Sequence, residues 1–170
     1  SVAGGAERLA GPIFSGSIVR DDGVLTPRGR VFDGGFGAAE AEFVLRIGTA
    51  PPVGQRRFSL DEAAALVDCA HVGIEIASSP LAGVNDLGPP VIVTDFGNNN
   101  GLVIGEAIDD WRATDYPEWT VVTLIDNEEA GRGHGAAMPD GPLGAVRFLL
   151  ELAAERGFAL QAGTWVSSGA

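Results

Sequence analysis

Glu40 and Glu42 in "FGAAEAEFVL", with Glu75 in "VGIEIA", are the residues whose types and settings could do chemistry. On a β-strand, Glu40 and Glu42 point to one face, about 7 Å apart along the chain. The opposite face, Ala41, Phe43 and Leu45, reads as core. The acidic face therefore either meets water or holds something positive. Glu75 lies between two isoleucines, in a run apolar enough to be buried on both faces. A carboxylate there is costly unless it is ion-paired or coordinates a metal. An arginine such as Arg46 would satisfy the first case. For the second, three carboxylates on neighbouring strands suit a hard divalent cation, Mg²⁺ or Mn²⁺, with water or substrate oxygens completing the shell. Zinc fits poorly, because Cys69, His71 and His134 show no ligand spacing.

Other polar residues each carry two readings. His134 in "GRGHGAAM" could exchange protons with a substrate or simply sit in a Gly-rich surface loop. Arg132 could grip a carboxylate bidentately or point into solvent from a turn. Asn98, Asn99 and Asn100 could border a site, although asparagine also suits left-handed turns. Ser168 offers a hydroxyl at a strand end, and His71, at the head of a strand, reads as structural.

The elements that must position these groups are short strands. "PIFSGSIV", "AAEAEFVLRIG", "HVGIEIAS", "LVIGEAI" and "LQAGTWVSSG" read as strands, and "WTVVTLIDNEEAGRGHG" as strands with tight turns. "RDDGVLTPRGR" carries an Asp-Gly turn, and "SPLAGVNDLGPPVIVTDFGNNNG" is irregular. "SLDEAAALVDCA" begins with a capping box, Ser59 with Glu62. "PLGAVRFLLELAAERG" is the second helix, with Pro142 in its first turn and Gly157 at its end. Two main helices among many strands predict an α+β fold around a mixed or antiparallel sheet.

The 170 residues, 45% hydrophobic, suit one globular domain with a sizeable core. The net charge of −12 repels phosphate backbones, so nucleic acid is not an expected partner. All 11 basic residues are arginine, which excludes Schiff-base chemistry by a lysine of this chain. A single cysteine rules out an internal disulfide framework. No apolar run approaches the roughly 20 residues of a membrane span. "SVAGGAERLAG" lacks a leader pattern, so a cytoplasmic location is expected.

The ordered set "AEAEFVL", "GIEIASS", "DFGNNNGLVIG" and "NEEAGRGHGAAMPDGPLGAVRFLLELAAERGFALQAGTWVSSGA" resembles the 2-keto-4-pentenoate hydratase family, which includes 4-oxalocrotonate decarboxylases. The likeness runs from about Gly11 onward. It implies a mixed sheet roll or barrel of the fumarylacetoacetate-hydrolase-like type, with Glu40, Glu42 and Glu75 in the positions that ligate Mg²⁺ or Mn²⁺. By the same resemblance, the metal chelates a 2-oxo acid and stabilises an enolate. That electron sink serves hydration of a short 2-hydroxydienoate, decarboxylation, or hydrolysis of an acylpyruvate. The resemblance places Asn99, Asn100 and Ser168 toward the substrate, while Arg132 as a substrate contact and His134 as an acid–base candidate rest on their residue types alone. It also implies homo-oligomers, sometimes joined by a partner enzyme of the same pathway.

The chain departs from that pattern in three places. The usual Lys-Val-Gly segment and the nearby acid are missing, with Leu9 and Ala10 where the acid would fall. Gly141-Pro142-Leu143 replaces His-Pro-Leu. The further strands past the Ser/Thr-Gly are absent. These departures suggest a fragment of a longer chain or a divergent, even non-catalytic, binding member.

Overall fold

The computed structural model describes residues 8–24 and 26–169. Residues 1–7, part of the stretch read for a leader, and Leu25 of the Asp-Gly turn lie outside the described residues.

The strands are β1 (Ile18–Arg20), β2 (Phe36–Ile47), β3 (Val67–Ser79), β4 (Asn99–Ala107), β5 (Thr120–Ile125), β6 (Glu128–His134) and β7 (Trp165–Ser167). The helices are α1 (Leu60–Leu66), α2 (Pro89–Thr94) and α3 (Gly141–Arg156). Five strands hydrogen-bond in the order β1-β4-β3-β2-β7, while β5 and β6 form a separate ribbon. β1 runs parallel to β4 and β2 antiparallel to β7, so the larger sheet is mixed. The chain gathers into two compact units. One holds residues up to 42 together with 72–106, the other 43–71 with the residues from 107 onward. β2 and β3 each pass from one unit into the other.

In the second unit the apolar end of β2 nucleates the core. Phe43, Leu45 and Ile47 pack with Ala63 of α1, Val146 and Leu150 of α3, Val166 of β7, and Phe58, Trp111 and Tyr116 from loops. Phe43 meets the Tyr116 ring edge-on, with centroids 4.9 Å apart. The capping box forms as expected: Ser59 Oγ accepts from Glu62 N, and Glu62 accepts from Ser59 N. The α1 helix is shorter than its composition suggests, ending at Leu66 with Val67 already extended. Residues 67–70, expected in the helix, open β3 instead. Arg46 reaches Asp68 through two bonds, 3.0 and 2.7 Å, and so pairs with Asp68 rather than Glu75. α3 closes on Gly157 in the left-handed region, as its sequence predicts. β5 and β6 are joined by Asp126 and Asn127, both at positive φ, the geometry of a tight primed turn.

In the first unit a loop is tied to the ends of β3 and β4. Ser78 Oγ donates to Phe36 O at 2.7 Å and accepts from Phe32 N at 3.0 Å. Asn100 Nδ2 donates to Arg30 O at 2.6 Å. Leu102, Ile104, Ala77 and Val84 supply this unit's buried apolar residues. The stretch expected to be irregular contains α2, which starts on two prolines, and then a turn from Phe96 to Asn98. Among the described residues, no helix is long and apolar enough to cross a membrane.

Candidate metal centre

The first unit turns Glu40, Glu42 and Glu75 inward. Along the first half of β2, Phe36, Ala38, Glu40 and Glu42 are the more protected positions, while Gly37, Ala39 and Ala41 are exposed. Ala41 is therefore not core as its alternation suggested, although Phe43 and Leu45 are. In β3 the aliphatic Val72 and Ile74 face outward and Glu75 is partly buried. That strand is not covered on both faces as its apolar letters implied. Ordinary strands bury aliphatics and solvate acids; β2 at Glu40 and Glu42, and β3 at Val72, Ile74 and Glu75, do the reverse.

The result is a cluster. One carboxylate oxygen from each of Glu40, Glu42 and Glu75 lies within 4.8 Å of the others. Glu42 is 5% exposed. Burial raises the Glu40 carboxyl above its ordinary range. Glu75 is raised first by burial and further by the Glu40 charge, against a bond from Asn99 that lowers it. Among the described residues, no arginine pairs with Glu40 or Glu75.

Asn99, the first residue of β4, donates from Nδ2 to Glu75 Oε1 at 3.0 Å. Its own Oδ1 is buried and finds no hydrogen-bond donor among the described residues. The neighbourhood is thus rich in oxygen acceptors and poor in donors. Such a set fits a hard divalent cation, with Asn99 fixing the orientation of one ligand.

Asn99 and Asn100 also line a cleft of about 370 Å³, walled by Phe14, Phe32 and Phe96, with Asp95 on its margin. Phe14 and Phe96 meet edge-on with centroids 5.5 Å apart. Phe96, Gly97 and Asn98 all have φ between 54° and 73°. Three successive left-handed residues make one tight reversed turn, carrying Asp95 at its entrance and Asn99 at its exit into the same cleft. Sequence reasoning passed over Asp95 and the aromatic walls. The signal was the "FGN" triplet, in which Gly97 and Asn98 tolerate positive φ and Phe96 does not.

The remaining expected site residues lie in the second unit. Ser168 is buried, and its Oγ accepts from Phe43 N at 3.0 Å. Arg132 is exposed and bound to Glu129 by two bonds, 3.0 and 2.7 Å. His134 is exposed at the end of β6, with Nδ1 at 3.4 Å from Thr120 Oγ1.

No family model matches the chain, and no curated protein matches it. Solved structures do. The 4-oxalocrotonate decarboxylase from Pseudomonas putida G7, complexed with magnesium and adipate, superposes with a TM-score of 0.69 at 24% identity, over 90% of this chain and 56% of that one. The same enzyme complexed with calcium and acetate gives 0.68 at 24%, over 90% and 55%. Fumarylpyruvate hydrolase from Pseudomonas aeruginosa, in complex with Mn²⁺ and pyruvate, gives 0.56 at 17%, over 89% and 61%. This chain spans little more than half the length of those chains. Its mixed sheet, its few helices and these superpositions together assign it the fumarylacetoacetate-hydrolase-like fold.

Proposed function

We propose that the protein is a divalent-metal-dependent lyase acting on a short 2-oxo or 2-hydroxydienoate acid, by addition of water across a conjugated double bond. The observation that carries this reading is the trio of carboxylate oxygens within 4.8 Å on the protected side of β2 and β3. Glu40, Glu42 and Glu75 would hold Mg²⁺ or Mn²⁺. A cation bound there would supply Lewis acidity toward a keto oxygen, making the neighbouring carbon easier to deprotonate.

The chain's own residues do the rest. Asn99 keeps Glu75 in one orientation through the 3.0 Å bond. The aromatic walls of the adjoining cleft offer planar surfaces to a conjugated acid and limit water beside it. The net charge of −12 disfavours nucleic acid as a partner.

Decarboxylation is the second reading, favoured by the superposition on 4-oxalocrotonate decarboxylase chains. The trio would serve either reaction, since both need the same acidity toward a keto oxygen.

Oxalate, a 2-oxo acid mimic, tests ligand class. Titrated into Mn²⁺-loaded protein while water proton relaxation is followed, it should displace water from the ion and lower the relaxation enhancement. No change with oxalate would contradict the reading. Incubation with a 2-hydroxydienoate then separates the reactions: loss of dienol absorbance without CO₂ marks hydration, and CO₂ release from a 2-oxo diacid marks decarboxylation.

A further inference from the structure

The Lewis acidity supposed above needs a partner that moves protons, and this chain contains no lysine. The first unit offers another group. Asp95 lies between α2 and the left-handed turn, lining the cleft that Asn99 also lines. Its backbone is held firmly: N donates to Val91 O at 3.1 Å and to Ile92 O at 3.2 Å, and O accepts from Asn98 N at 2.7 Å. Its side chain is not. Asp95 Oδ2 is buried and has no hydrogen-bond partner among the described residues.

A buried carboxylate oxygen without a donor is costly, and such a cost persists where a ligand completes the arrangement. The turn that places it is costly as well. Phe96 adopts φ 55°, a conformation that strains any residue with a Cβ by roughly 1–2 kcal/mol. Gly11 packs so closely beneath it that no side chain fits there. Two separate expenses, one steric and one of solvation, converge on the segment that delivers Asp95 and Asn99 to one cleft. Asn99 in turn touches Glu75 at 3.0 Å. Asn99 thus touches the carboxylate trio and lines the cleft together with Asp95, all within the first unit.

We infer that Asp95 is the proton-transfer residue of this cleft, acting on the carbon beside the keto group of a bound 2-oxo acid. As carboxylate it takes one proton from that carbon, and the C–H electron pair passes toward the keto oxygen. In reverse, the protonated Asp95 returns a proton to the carbon and the electron pair comes back. The balance closes on Asp95 alone, with exchange to solvent between the two half-steps. The inference rests on the 2-oxo acid reading above.

The test uses 2-oxobutyrate in D₂O with Mg²⁺, following deuterium uptake at C3 by proton NMR, with Mn²⁺ binding and thermal melting measured on the same samples. Wild-type protein should exchange. D95N should lose about 100-fold or more of the exchange rate, bind Mn²⁺ as wild type does, and melt at the same temperature or higher. A residue of purely structural value would instead lower the melting temperature. If D95N folds poorly, D95S takes its place in the same assay. Exchange within threefold of wild type in a folded variant would overturn the inference. So would a wild-type protein that binds Mn²⁺ and 2-oxobutyrate yet shows no exchange. Failure of wild type to bind Mn²⁺ at all would instead overturn the metal reading on which the inference stands.

Discussion

Asn99 Nδ2 donates to Glu75 Oε1 at 3.0 Å while its own Oδ1 stays buried without a donor. The amide thus spends its donor on orienting the carboxylate. Asn99→Ala should weaken Mg²⁺ or Mn²⁺ binding about 10- to 100-fold, the usual effect of removing a group that orients a ligand. Isothermal titration measures this directly, and an unchanged affinity would show that Glu75 is held by other means.

Glu75 should also tune stability with pH. Burial lifts its folded-state carboxyl above the unfolded value, so its favourable contribution is complete below the unfolded value and is lost as pH rises through the folded one. Glu75→Gln stays neutral throughout. Without metal, the variant should therefore match wild type under acid conditions and melt higher than wild type at neutral pH. Saturating Mg²⁺ should reverse the neutral-pH order, because only wild type gains the ion. Parallel melting curves across pH with no crossing between metal-free and metal-loaded samples would contradict this.

Gly11 supports the left-handed turn from below. A Cβ there would fall 2.1 Å from Phe96 O, a backbone atom that cannot swing aside. Gly11→Ala should cost about 1–3 kcal/mol, the range of overpacking in a filled site. Gly16→Ala is the control, since its Cβ meets nothing within 4 Å, and should stay within about 0.5 kcal/mol. Denaturant melts of the two variants compare them.

Ser168 holds β2 at the residue after Glu42: its Oγ accepts from Phe43 N, and its N donates to Phe43 O, both at 3.0 Å. Ser168→Ala would leave the buried Phe43 N–H without that acceptor. A loss of about 1–3 kcal/mol is expected, the desolvation cost of an unsatisfied donor. An unchanged thermal midpoint would show that another acceptor takes over.

How much of this was legible in the sequence depended on which force set each feature. The capping box at Ser59 and Glu62 and the C-terminal Gly157 of α3 are local, and the chain follows them. The Glu40, Glu42 and Glu75 set was legible because strand geometry has period 2 and puts the first two on one side. Which side faced inward was not, because alternation alone cannot say what covers a sheet. Ala41, Val72 and Ile74 read as core and are exposed.

Residues 67–70 read as a continuation of the helix formers that follow the capping box, yet strand pairing overrides weak local preference. α2 hid because "PPVIVT" joins two prolines to β-branched residues, a poor helix by propensity whose prolines nevertheless suit a first turn. Asp95 hid for a different reason. Its value comes from a left-handed turn that begins at Phe96, and nothing in that residue's type announces a positive φ.

The account turns on whether the three carboxylates hold a divalent cation. Calorimetric titration of Mg²⁺ and Mn²⁺ into metal-free protein, beside Glu42→Gln and Glu75→Gln, tests that most directly. One ion per chain in wild type, with binding lost in both folded variants, is the predicted result. Equal binding by wild type and variants, or none by wild type alongside a higher melting temperature for both variants, would contradict it and leave the inward acids without a ligand.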